Sequence, residues 1–308
     1  MTRERGHGAT GEQFELRRAG SRAVITELAG SLRLFEKGGV RLTETYDDDR
    51  IPPSACGILL APWPNRVAEG RWTLDGEIQQ LDITEPGRGH AIHGLLRNTG
   101  YRLVERSEHR LVLRAEIFPQ HGYPFRLSHS AEYSLDQAGD LTVRQELLNL
   151  SGAAAPVALG AHPFLRLGDE PADRLTLTVP AARYFPADPQ TMIPAADVPV
   201  DEQTDLRTGA RLAELAMDRA YTGLSAGTGG RVVSTLVSDS GSMVGLWQDE
   251  TFQYVHIFVT SKYPGRACAL AAEPMTAPAD SFNSGIGLTW LRPGGSFGGN
   301  WGITAQLH

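Results

Sequence analysis

The chain is short of cysteine, of long apolar runs and of positive charge, and each shortage closes a class of function. Its 308 residues contain two cysteines, Cys56 and Cys268. That is too few for a disulfide framework, and no CxxC spacing is present to hold zinc or run dithiol chemistry. A reduced, cytoplasmic protein is expected. No unbroken stretch of about 18 apolar residues occurs, so no membrane span is expected. The first dozen residues, MTRERGHGATGE, lack the apolar segment of a secretory signal, and residues 1–12 are expected to be disordered. Lys and Arg number 29 against 36 Asp and Glu, a formal net charge of -7, which argues against nucleic acid or an anionic membrane as partner. Also missing are GxxxxGK[ST], a GxGxxG after a strand and HExxH. Their absence removes the common nucleotide and zinc-protease signatures. Helix is scarce too: only Thr208–Met217, TGARLAELAM, has convincing helical spacing.

What the chain has is turns. Its 34 glycines and 19 prolines cut it into short segments that often alternate apolar with polar residues. Leu141, Val143, Gln145 and Leu147 alternate with Thr142, Arg144, Glu146 and Leu148, the pattern of a sheet with one partly wet face. Asp75-Gly76 between two strand-like segments is a hairpin signal. The glycine pairs at 229–230, 294–295 and 298–299 read as further hairpin turns. A dozen or more strands with scarcely any helix predict an all-β protein, a large antiparallel β-sandwich, and no linker or repeat divides residues 1–308 into more than one domain.

Several stretches carry groups suited to chemistry. Ala267–Ala272 reads as a strand buried on both faces, and it ends on Glu273 followed by Pro274. A proline cannot extend the ladder, so Glu273 is expected at a strand end. A carboxylate delivered by an apolar strand is costly unless something uses it; the plain alternative is a solvent-facing glutamate. ALGAHPFL, residues 158–165, repeats the device with His162 and Pro163. One carboxylate and one imidazole, with ordinary pKa values near 4.3 and 6.5, are the pair that concerted acid/base chemistry near neutrality requires. In PWPNR, residues 62–66, a stiff loop presents the amide Asn65 beside the forked cation Arg66, a pair suited to neutral polyhydroxy ligands or else simply a turn. HAIHGLLRN, residues 90–98, offers His93 at a tight turn with Gly94 permitting close approach. Its two histidines lack the further ligands a metal site needs. Asp218 could accept hydroxyl hydrogens or could cap the helix before it. Trp247 could form a flat wall for a pyranose or belong to the core, and His256 is a polar strand contact.

Taken in order, the NR pair, HG about 27 residues later, HPF, a lone Asp, EPMTAPADSFN and a final LRPG resemble the aldose 1-epimerase (galactose mutarotase) family. The resemblance runs from about Gly30 to Pro293. It implies a galactose mutarotase-like supersandwich with a sugar cleft across a concave face. Glu273 would be the general base on the anomeric hydroxyl and His162 the general acid on the ring oxygen. Arg66 and His93 would bind and polarise the sugar, Asp218 would hold its outer hydroxyls, and Asn65 precedes the arginine as in the family. Members often carry glutamine near the strand holding His256. The implied activity interconverts the α and β anomers of free hexoses such as glucose or galactose, with no cofactor and no metal. The implied partner is the aldohexose itself, bound by a monomer or homodimer. A hexose-6-phosphate 1-epimerase, with Arg66, Arg88 and Arg97 as phosphate cations, a non-catalytic sugar-binding protein and a glycosidase are the rival readings.

Overall fold

The computed structural model describes residues 8–227 and 229–308. The expected disorder of the first residues therefore lies outside the described residues as far as residue 7. Residues 8–12 depart from that expectation. Gly8 and Gly11 form a bridge, the Ala9 amide donates to the Asp48 carbonyl, and Thr10 is fully buried. Their polar backbone finds partners in neighbouring segments of the same chain, at Asp48, Leu28 and Glu27.

Strands dominate the order of elements. A nine-stranded sheet runs Arg102–Arg106, Arg110–Ile117, Leu127–Leu135, Leu141–Asn149, Ser296–Gln306, Met243–Gln248, Val232–Val237, Thr176–Thr178 and Ala210–Arg211. An eight-stranded sheet runs Val198–Pro199, Ala181–Tyr184, Asp218–Leu224, Tyr254–Thr260, Ala269–Met275, Gly160–Ala161 and Leu59–Leu60, with Phe164–Leu165 also paired to Ala269–Met275. All pairings between these strands are antiparallel. Gln13–Arg18, Ser21–Thr26, Leu32–Lys37 and Val40–Arg41 form a smaller third sheet.

Period-two patterning explains how the two large sheets stack. Leu141, Val143 and Leu147 of the first share one apolar cluster with Val255, Ile257, Leu270 and Ala272 of the second. Each of the leucine, isoleucine and valine side chains contributes about 1.5–3 kcal/mol by leaving water. The alternate residues of the second sheet, among them Asp218, His256, Phe258, Ala271 and Glu273, must then face away from that core. That face is where the site lies. The hairpin at Asp75-Gly76 forms as expected, joining Arg71–Leu74 to Glu77–Gln80 with φ of 50° and 84° at its centre.

Two expectations fail locally. Thr208–Met217 is no helix. Ala210–Arg211 pairs with Thr176–Leu177 at a sheet edge, and only a single 3-10 turn, Leu212–Glu214, follows. A two-turn apolar pattern is too short to sustain a helix when a sheet edge competes for its backbone. The pair Gly298-Gly299 is no turn either, because it lies inside Ser296–Gln306. A Cβ on Gly298 would stand 2.3 Å from the Gln145 carbonyl oxygen, and one on Gly299 would stand 2.6 Å from Thr251 Cβ. These glycines permit close packing.

Candidate active site

Glu273 and Pro274 sit within a continuous strand, Ala269–Met275, and not at its end. The reason lies in which way each amide points. The Ala272 amide donates to the Pro163 carbonyl and the Thr276 amide to the Leu159 carbonyl, so position 274 faces the same neighbour between them. That neighbour is interrupted there: Gly160–Ala161 and Phe164–Leu165 are separate strands with His162-Pro163 at the break. The missing N–H of Pro274 therefore falls where no ladder acceptor waits. The same break swings His162 towards Glu273. Its Nε2 is 3.3 Å from Glu273 Oε1, with the two side chains 6% and 2% exposed.

The ring of His162 is held on two sides. It stacks on Phe164, centroids 5.4 Å apart and planes 25° apart, and meets His93 edge-on at 5.2 Å. His93 arrives from the short pair Arg66–Val67 and Ala91–Ile92. Just before the first strand and just after the second, Asn65 and His93 take left-handed conformations, with φ of 53° and 65°, and the His93 amide donates to the Asn65 carbonyl. Gly94 is required for a different reason. A Cβ there would lie 2.1 Å from the Ala61 carbonyl oxygen, so the close approach it allows is that of the chain's own backbone.

Arg66 donates through Nε and Nη2 to both oxygens of Glu85, at 2.8 and 2.9 Å. It also donates through its backbone N and Nη1 to Asn65 Oδ1, at 3.0 and 3.2 Å. Two donors on Asn65 Oδ1 fix the amide, so its Nδ2 points at His256 Nδ1, 3.4 Å away. On the other side of that ring, Nε2 lies 2.6 Å from Asp218 Oδ1. His256 stands directly across the strand pair from Glu273. A proton on His256 Nδ1 would oppose the Asn65 amide, but that contact is long and the short bond to Asp218 outweighs it.

Burial and neighbouring charge set the protonation states. Burial lowers the pKa of His162 more than Glu273 raises it. Burial, His162 and Arg97 together hold His93 well below the ordinary imidazole range. His256 goes the other way: burial pulls it down, but Glu273 and Asp218 prevail and raise it. Burial pushes Asp218 up, yet the hydrogen bond and charge of His256, with Arg66, keep it below the usual carboxylate range. Two imidazoles that hold a proton less readily than usual, one that holds it more readily and a carboxylate that resists protonation thus share one pocket. Among the described residues Glu273 Oε2 and His93 Nδ1 are buried without a hydrogen-bond partner, a costly condition that active sites tolerate.

These side chains line a cleft of about 460 Å³, within the roughly 300–1,000 Å³ typical of small-molecule sites. Asn65, Arg66, His93, His162, Asp218, His256 and Glu273 are brought together there. Trp247 is not. It belongs to the nine-stranded sheet, where Leu246 enters the core and Trp247 faces the opposite side beneath Arg231, whose Cζ lies 3.8 Å from the ring centroid. Asp218 follows no helix and instead opens the strand Asp218–Leu224. His90 holds a structural post: its Nδ1 accepts from the Glu69 amide and its Nε2 donates to the Thr191 carbonyl. Among the described residues no group of three or more His, Cys, Asp or Glu is placed to hold a metal ion. Glu85, which orients Arg66, and Phe258, on the cleft floor, were not singled out in the sequence. Glu85 had no spacing signal to expose it, because its partner is 19 residues away across a loop.

Residues 13–304 match the family model for aldose 1-epimerase. The chain belongs to the aldose 1-epimerase family. It is 29% identical over 286 residues to the uncharacterized protein YihR of Escherichia coli (strain K12), a match covering 92% of this chain and 90% of that one. It is 30% identical over 167 residues to galactose mutarotase of Rattus norvegicus, covering 51% of this chain and 46% of the rat protein. Among solved structures, a galactose mutarotase-like protein from Clostridium acetobutylicum superposes with a TM-score of 0.84 at 16% identity, covering 96% of this chain and 95% of that one. The GalM/aldose epimerase homologue from C. elegans gives 0.82 at 18%, covering 96% and 98%. At these identities the likeness is one of fold, and it agrees with the β-sandwich. Among the described residues no helix is long and apolar enough to cross a membrane.

Proposed function

We propose that the chain is an aldose 1-epimerase that interconverts the α and β anomers of a free aldohexose. The observation that carries this reading is the buried Glu273–His162 pair, 3.3 Å apart in one cleft. In the proposed reaction Glu273 takes the proton from O1 while His162 gives one to O5, and the ring opens. Rotation about C1–C2 presents the other face of the aldehyde, and closure reverses both transfers. Burial lowers the proton affinity of His162, so its imidazolium, once formed, is a strong acid towards the ring oxygen. The other polar groups of the cleft bind and orient the sugar. Arg66 is neutralised and held by Glu85 and Asn65, and the second N–H on each of its terminal nitrogens is the donor left for hydroxyl groups.

The same detail weighs against the hexose-6-phosphate reading. Arg66 and Arg88 both face Glu85, and of the three arginines only Arg97 lines the cleft without an ion-pair partner among the described residues. Polarimetry tests the proposal: freshly dissolved α-D-glucose or α-D-galactose should reach equilibrium faster with the protein than without it. No acceleration with any aldose would overturn it. Calorimetric sugar binding without acceleration would favour a binding protein, and release of reducing sugar from glycosides would favour a glycosidase. A rate seen only with hexose 6-phosphates would favour the phosphate reading.

A further inference from the structure

One carboxylate serves three arginines beside the cleft. Glu85 takes Arg66 with both oxygens, at 2.8 and 2.9 Å, and its Oε1 lies 3.6 Å from Arg88 Nε. Burial lowers the proton affinity of Arg97, and the charge of Glu85 works against that loss. We propose that Glu85 is a specificity-determining residue, which cancels guanidinium charge on this wall so that the cleft accepts a neutral aldose and turns anionic ones away. The inference rests on the epimerase reading above and assigns its selectivity for uncharged sugars to one side chain. Glu85 acts through the arginines and not on the reacting atoms.

Three observations support it. The first is a balance of charge. Among the described residues Glu85, Asp218 and Glu273 are the carboxylates lining the cleft, and Arg66 and Arg97 are its guanidiniums. Counting Arg88, which reaches Glu85 from outside the lining, carboxylates and guanidiniums are equal in number. The cleft therefore holds no surplus of arginine charge while Glu85 is ionised, and an anion would enter uncompensated.

The second observation is that Glu85 has no substitute. Asp218 bonds to His256 at 2.6 Å and Glu273 faces His162 at 3.3 Å. Among the described residues neither lies within ion-pair distance of an arginine. Without Glu85, three guanidiniums would stand together unpaired, the arrangement that binds phosphate, sulfate or carboxylate. The third is that the carboxylate is held in place. The Glu85 carbonyl accepts from the amides of Arg88, Gly89 and His90, and the Glu85 amide donates to the His90 carbonyl. Arg88 in turn donates to the Gln190 carbonyl. A loop closed on itself in this way presents Glu85 before any sugar arrives.

The test is Glu85→Gln, which keeps the size of the side chain and removes its charge. Anomer exchange is read by NMR between the α and β H1 signals for glucose, glucuronic acid and glucose 6-phosphate. Sodium sulfate is the competing anion, compared with sodium chloride at equal ionic strength. The wild-type protein should exchange glucose best and respond alike to the two salts. In Glu85→Gln, kcat/KM for an anionic aldose should rise relative to glucose by about tenfold, the order expected for one partly screened unit charge. Sulfate should inhibit this variant and raise its melting temperature more than that of the wild type, a readout that needs no turnover. Adding Arg97→Gln removes one cation and should reverse both effects. An anionic-to-neutral ratio and a sulfate response that stay unchanged in Glu85→Gln, or that persist in the double variant, overturn the proposal. A wild-type protein that prefers an anionic aldose overturns it too. Absence of exchange with every sugar overturns the epimerase reading itself, while the sulfate shift in melting temperature still decides the role of Glu85.

Discussion

Replacing Glu273 by glutamine removes one proton acceptor at almost constant shape. The carboxylate is 2% exposed, one oxygen lies 3.3 Å from His162 Nε2, and the other has no protein partner. A glutamine amide fills the same volume and cannot take the O1 proton. General-base catalysis is worth about 10²–10⁴-fold, so the accelerated part of mutarotation should fall by that factor, about 3–5 kcal/mol of barrier. Folding should not suffer. A buried carboxylate carries a desolvation cost that the neutral amide lacks, so the melting temperature should stay level or rise. The assay is polarimetry on fresh α-D-glucose with the spontaneous rate subtracted, paired with thermal unfolding of both proteins. A variant that keeps more than a tenth of the acceleration refutes the assignment of Glu273 as base. One that loses both activity and several degrees of melting temperature shows that the carboxylate supports the fold, which contradicts the reasoning from burial.

Three further outcomes follow from the geometry. His129, fully buried with Nδ1 2.7 Å from the Tyr101 hydroxyl, is lowered by burial from 6.5 to about 4. The unfolded chain takes up this proton first as pH falls, so stability is whole above pH 6.5 and is lost progressively between 6.5 and about 4. At about 1.4 kcal/mol per pH unit the loss is about 3 kcal/mol, and chemical denaturation of His129→Gln across that range should show a shallower decline. Gly94→Ala puts a Cβ 2.1 Å from a carbonyl oxygen at φ +71°; it should cost more than about 2 kcal/mol and displace His93, seen as lower Tm and a raised KM. Trp247→Phe should leave KM unchanged within twofold while weakening the contact with Arg231, about 0.5–2 kcal/mol; a large rise in KM would put Trp247 back among the sugar contacts.

Much of this protein was legible in its sequence because strand patterning is local. The alternation in Leu141–Asn149 and the turn at Asp75-Gly76 needed only neighbouring residues to be read, and the ordered polar motifs pointed to the family. Glu273, His162, Asn65, Arg66, His93, Asp218 and His256 are all legible as candidates, since each sits on or beside a short apolar or proline-marked stretch. Tertiary structure decided the rest. Period two tells which residues of a strand share a face, but not which sheet the strand joins. Trp247 and His256 look alike as strand residues, yet one lies on the outer face of the nine-stranded sheet and the other beside Glu273. Pro274 continues its strand only because the neighbouring strand breaks at His162-Pro163, a fact held by two segments more than a hundred residues apart. Glu85 became the partner of Arg66, and Asp218 that of His256, through folding alone. Local sequence specifies the elements and the reactive groups; which groups meet, and how much space surrounds them, depends on contacts between distant segments that no local pattern encodes.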